Sequence, residues 1–122
     1  MSRYRLAEPA RHDIATILAD SAKHFGEIAS ERYELLIATA LVDLASNPEC
    51  PGSRATPELG AGSRLYHLRN SRGRAGSSGS KVSNPRHFIL YKIIASGVVG
   101  IARLLHDSMD LSRHATDDFG QA

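Results

Sequence analysis

Residues 87–105 read HFILYKIIASGVVGIARLL, two apolar runs around Ala95-Ser96-Gly97. A short connection containing glycine joins them, so they form an antiparallel hairpin. Both runs are too apolar to be wetted on two faces, and a hairpin alone is marginally stable in water. The chain must therefore supply a second layer that covers one side of these strands.

Two stretches upstream fit that need. Pro9, tolerated in the first turn of a helix, opens a pattern with Ala10, Ile14, Ile17, Leu18, Ser21 and Phe25 on one face, and Gly26 is placed to end it. Tyr33, Leu36, Ile37, Ala40, Leu41 and Leu44 then recur at helical spacing until Asn47-Pro48. So short a link predicts an antiparallel helical hairpin whose apolar stripes share one surface. RYRLA at 3–7 and RLYHLR at 64–69 alternate as strands do. The expected fold is therefore α+β: an N-terminal strand, a two-helix hairpin, then three strands in a small, mainly antiparallel sheet, in the order β-α-α-β-β-β. Tyr66, Tyr91 and Arg103 are expected on the face away from the helices or along its rim.

With 122 residues the chain has room for one core, here taken as a single domain over 1–114. NSRGRAGSSGSKVSNP, residues 70–85, reads as a mobile basic loop, and 115–122 as a flexible tail. No apolar run of about 18 residues is present for a membrane span, and the N-terminus lacks the apolar core of a signal peptide, so a cytoplasmic location with no membrane partner is expected. Cys50 is the only cysteine, and one thiol makes neither an internal disulfide nor a zinc site.

Charge is unevenly placed. From Leu59 to His106 there is no acidic residue, while Arg64, Arg69, Arg72, Arg74, Lys81, Arg86, Lys92 and Arg103 give a formal +8. The remainder carries seven basic and thirteen acidic residues, a formal −6. This split favours an anionic partner, either nucleic acid or an acidic protein.

The polar stretch RLLHDSMDLSRH, 103–114, holds the residues most suggestive of chemistry. His106, Asp110 and His114 would share a face if helical, but no matched fourth ligand accompanies them, so no metal is expected. His106, Asp107 and Ser108 carry the letters of a triad, yet adjacent residues do not aim their side chains at one another in triad geometry, and no Gly-x-Ser-x-Gly elbow occurs. Metal-free RNA cleavage needs a base, an acid and a cation, for which His67, His87, His106 and Arg103 are available. No phosphate-cradling glycine motif is present, so no nucleotide cofactor is expected.

EPARHDIATI at the first helix, HFILYKI in the third strand and ARLLHDSMD closing the fourth, taken with the element order, resemble the ParE branch of the RelE/ParE toxins of bacterial type II toxin–antitoxin modules. The resemblance runs from Tyr4 to about His114. It implies a ParD-like antitoxin whose disordered C-terminal segment folds on the toxin, and contact with operator DNA only through that antitoxin. For the ParE branch it implies DNA gyrase as target, growth inhibition and plasmid stabilisation, with no reaction catalysed by the toxin. RelE-like members instead cut messenger RNA on the ribosome with basic, histidine and tyrosine residues on the third and fourth strands. Here Phe88 stands at the third-strand position, and His106 and Asp107 stand where paired cations are found. His106, Met109 and Asp110 match the ParE His-x-x-Met-Asp pattern, with Met109 expected to pack back on the domain.

Three readings thus stand: a gyrase-inhibiting toxin, a ribosome-dependent endoribonuclease using His67, His87, Arg103 and His106, and a silent module that only binds antitoxin. The residues expected to bind antitoxin or target are Arg64, Tyr66, Arg69, Arg86, Tyr91, Arg103 and His106.

Overall fold

The computed structural model describes residues 3–75 and 82–109. Along the chain run β1 (Arg3–Leu6), α1 (Glu8–Phe25), α2 (Glu27–Ser46), β2 (Arg54–Ala55), a 3-10 turn (Pro57–Leu59), β3 (Arg64–His67), a 3-10 helix (Leu68–Arg74), β4 (His87–Ala95) and β5 (Val98–His106). The five strands form one sheet in the order β1-β5-β4-β3-β2, with β1 parallel to β5 and every other pair antiparallel. This is the expected α+β arrangement with one addition, the two-residue edge strand β2.

Local chemistry explains the hairpin. Glu8 in the first turn of α1 and Lys23 and His24 in its last turn each oppose the helix dipole favourably. Gly26 closes α1 through its N–H to the Ala22 carbonyl at 3.0 Å, and at φ 95° it also begins α2. One residue thus serves both helices, a conformation a side chain would strain.

The two helices bury unequal faces. Tyr33, Leu36, Ile37, Ala40, Leu41 and Leu44 of α2 are all buried, as the periodicity predicts, and each large one is worth about 1.5–3 kcal/mol over exposure. In α1 only Ala10 is fully buried, while Ile14, Ile17 and Leu18 pack partly against the same core. Phe25, expected on that face, is 78% exposed, because the last turn of α1 lies at the hairpin's tip.

Strand parity is reset in β5. Leu90 pairs with Arg103 but Tyr91 pairs with Ile101, so Ala102 is an extra residue, a β-bulge. Ile101 and Leu104 consequently both join the helix-side core, while Ala102 and Leu105 join Leu59, Leu65 and Leu90 in a second cluster on the other face. Tyr66 and Tyr91, expected on the outer face or rim, are fully buried in the helix-side core. Tyr91 donates to the Pro48 carbonyl at 2.5 Å and Tyr66 pairs with Ser71 at 2.7 Å, which satisfies hydroxyls that burial would otherwise penalise.

The expected mobile loop also begins differently. Leu68–Arg74 is a 3-10 helix capped by His67, whose ring Nδ1 accepts the Arg69 N–H at 3.1 Å. Buried Ser71 donates to Asp43 at 2.6 Å, so Tyr66 donates to Ser71, and Arg74 reaches the same carboxylate at 2.7 Å. Residues 76–81 of that loop, and the tail from 110 onward, lie outside the described residues.

Candidate functional site

Three strand ends converge beside α2. His67 closes β3, His87 opens β4 and His106 closes β5, and the register sets His67 against Phe88 and His87 against His106. The His87 and His106 rings meet edge to face with centroids 5.3 Å apart. Asp107 follows at once, its N–H bonded to the Arg86 carbonyl at 2.9 Å, so the β5 end is tied to the residue before β4.

Hydrogen-bond direction fixes the tautomer of His67 and His106. The His67 Nδ1 accepts a backbone N–H, so its proton sits on Nε2, which donates to Asp107 Oδ2 at 3.1 Å. Tyr33 accepts the Arg86 N–H at 3.0 Å, and its hydroxyl is hydrogen-bonded to His87 Nδ1 at 2.7 Å. His106 Nδ1 accepts the Ser108 N–H at 3.1 Å and lies 2.7 Å from the Ser108 hydroxyl. The His67 and His106 rings thus carry the proton on Nε2 when neutral.

Electrostatics agree with that assignment. Burial holds His87 down to about 4, helped by neighbouring His106 and opposed by Asp107. Burial also lowers His67, outweighing the hydrogen bond from its ring to Asp107. For Asp107, burial alone would raise the carboxyl, but hydrogen bonds from His67 and Arg86 outweigh it and hold the group below the usual range. Arg86 closes on Asp107 with Nε at 3.0 Å and a terminal nitrogen at 2.9 Å. Burial raises Tyr33, so its hydroxyl remains protonated at neutral pH.

Arg86 divides two depressions. On one side a groove of about 640 Å³ runs between the helical hairpin and the strand ends, lined by Ile17, Phe25, Ala29, Tyr33, His87 and His106 among others. On the other lies a polar pocket of about 740 Å³, bordered by His67, Arg69, Asn70, Arg72, Asn84 and Arg86 among others.

The residues anticipated from sequence are thus dispersed. Arg86 and His106 meet here, with His67 and His87, and Arg69 borders the polar pocket. Arg64 is remote from them, its Nε 2.8 Å from Ser53 Oγ. Tyr66 and Tyr91 are buried below the helices and present no ring to a partner. Arg103 is gripped by Asp13 of α1, at 2.7 and 3.0 Å, and serves the junction of helix and sheet. Met109, expected to pack back on the domain, is 46% exposed. Asp110 and His114 lie outside the described residues, among which no group of three metal-ligating side chains occurs.

Sequence reading passed over Tyr33, Asp13 and Asp107 as organising residues. Asp13 did leave a signal, since it falls within the apolar stripe of Ala10, Ile14 and Ile17, where an uncompensated carboxylate would be costly.

The neutral His106 ring has its Nε2–H to donate, and the arginine of this cluster, Arg86, is already engaged by the Asp107 carboxylate. Among the described residues, no helix is long and apolar enough to cross a membrane. A family model described as the ParE toxin of the type II toxin–antitoxin system, parDE, matches residues 4–111. The chain belongs to the ParE toxin family. No curated protein matches it. As a ParE-family toxin it is one half of a toxin–antitoxin pair, so an antitoxin is its partner. The match spans β1 to the end of β5 and includes both depressions.

Proposed function

We propose that this toxin inhibits DNA gyrase and so stalls replication, and that a ParD-like antitoxin neutralises it in the cytoplasm. The observation that carries the reading is the ParE family match over residues 4–111. The strand-end geometry is in keeping with a toxin that acts by binding. A phosphoryl transfer site needs a cation free to meet charge developing on phosphorus. Here Arg86 faces Asp107, His67 is neutral and bonded to the same carboxylate, and Phe88 stands at the third-strand position.

For the antitoxin, the groove between the hairpin and the strand ends offers apolar side chains rimmed by Arg32, Arg86 and His24. An acidic segment that is disordered when free would be steered to that rim and would order as its apolar residues entered. The antitoxin's own N-terminal domain would then carry the pair to operator DNA.

Expression of the chain alone, with and without a gene for an antitoxin bearing an acidic C-terminal tail, tests both halves. The expected result is growth arrest with gyrase–DNA cleavage complexes and intact transcripts, relieved by an antitoxin that co-purifies. Rapid codon-specific transcript cleavage with normal supercoiling would replace gyrase with the ribosome as target. Normal growth despite abundant folded chain would leave only antitoxin binding.

A further inference from the structure

The polar pocket beyond Arg86 is not needed by the apolar groove, and its chemistry differs. We propose that it binds the phosphodiester backbone of a nucleic-acid strand, held by Arg69 and Arg72. This goes beyond the gyrase reading and does not require it.

Charge is the first support. Three guanidiniums border the pocket; Arg86 is paired with Asp107, which leaves Arg69 and Arg72 as its cations, and no acidic residue lies between Leu59 and His106. His67 contributes no charge, since it is neutral and donates to Asp107. Arg72 is oriented by its Nε bonding the Val82 carbonyl, and among the described residues it has no carboxylate partner. Among the described residues the Arg69 guanidinium has no hydrogen-bond or ion-pair partner, and Arg69 and Arg72 are both exposed. Guanidiniums suit phosphate because their planar donors match two oxygens at once.

The lining supplies the second support. Asn70, Asn84 and Ser83 add neutral donors, and the apolar members are Pro85 and Phe88. An amphipathic acidic peptide would need an apolar floor, which the groove on the far side of Arg86 provides with Ile17, Phe25, Ala29 and Val82. A phosphodiester chain needs donors and cations, and it can use a single aromatic for a base. The two depressions thus fit different ligands, with the polar one matching a strand whose charge is on its backbone.

The test is fluorescence anisotropy with the full chain, freed of antitoxin, and labelled oligonucleotides of about 12 nucleotides in deoxy and ribo forms. Polyglutamate and inorganic phosphate serve as competitors. Binding should weaken with salt, and Arg69→Gln and Arg72→Gln should each lower the slope of log affinity against log salt by about 0.7. The double variant should bind at least ~10-fold more weakly, in line with loss of two phosphate contacts. Arg11→Gln, on the exposed face of α1 and outside the pocket, should bind as the parent does. Binding of either oligonucleotide with this pattern supports the proposal, and the tighter one identifies the sugar. Absence of binding, an equal loss in Arg11→Gln, or displacement by polyglutamate as effective as by nucleic acid overturns it. Matching thermal melts ensure that the variants report on the pocket, since Arg69 makes no side-chain contact on which the described fold depends.

Discussion

Removing the Asp13 carboxylate should loosen the junction between α1 and β5. Asp13 accepts from Arg103 Nε at 2.7 Å, from an Arg103 terminal nitrogen at 3.0 Å and from the Leu104 N–H at 3.0 Å. The last donor lies just after the bulge at Ala102, where the β4 ladder is interrupted. Asp13→Ala leaves that N–H without its acceptor and removes the carboxylate from a guanidinium whose side chain is only 28% exposed. The backbone group costs about 1–3 kcal/mol, and the arginine adds less than a buried pair would because it can reach water, so about 3 kcal/mol is expected. For a chain of this length 1 kcal/mol corresponds to about 4 °C, which gives a fall in Tm of about 12 °C. Asp13→Asn can still accept from Leu104 and should lose about half as much. Arg103→Met should cost about 2 kcal/mol, and the Asp13→Ala, Arg103→Met double variant should be less destabilised than the sum by about 1–2 kcal/mol. Urea unfolding of the four variants beside the parent measures this. Additive single effects, or a loss below about 0.5 kcal/mol in Asp13→Ala, would refute a structural role for the clamp.

Three further outcomes follow from the same geometry. His87 has a folded-state value of about 4, below its ordinary 6.5, so the unfolded chain takes up the proton first. Stability should therefore be complete above ~pH 6.5 and decline as pH falls toward 4, with about 1–2 kcal/mol lost between ~pH 7 and ~pH 5 after allowing for solvent in the groove, and His87→Gln should flatten that decline in pH-dependent melts. Gly52 sits at φ 97°, and a Cβ there would lie 2.5 Å from the Asn70 side chain, so Gly52→Ala should cost about 1–3 kcal/mol in denaturant unfolding, and a neutral result would mean the turn relaxes freely. Thr56 Oγ1 is buried without a partner among the described residues, so Thr56→Val should leave stability unchanged or raise it by up to ~1 kcal/mol, whereas a clear loss would reveal a bound water.

The fold was legible where periodicity dominates. The α2 stripe from Tyr33 to Leu44 buries the residues its spacing predicts, and β4 and β5 follow their apolar runs. Parity was less legible, because the bulge at Ala102 leaves no compositional mark yet reassigns Leu104 to the helix side. The tyrosines were misplaced for a related reason. A strand tyrosine suits a wet rim or a core equally, and what decides is a distant acceptor such as the Pro48 carbonyl. The glycine- and arginine-rich start of the 70–85 stretch hid an ordered turn because its anchor is a single serine held by Asp43 from α2. β2 has two residues and no pattern to read. At the site, the histidines and Arg86 were visible in sequence, but their grouping depends on strand ends far apart along the chain, and on Tyr33 and Asp107 to orient them.

Incubating purified DNA gyrase with the full chain, with and without its antitoxin, tests the central claim most directly. Supercoiling should fall and cleaved gyrase–DNA complexes should accumulate in proportion to free toxin, with both effects abolished by the antitoxin. Undisturbed supercoiling by a folded, antitoxin-binding chain that cleaves transcripts on ribosomes would contradict it.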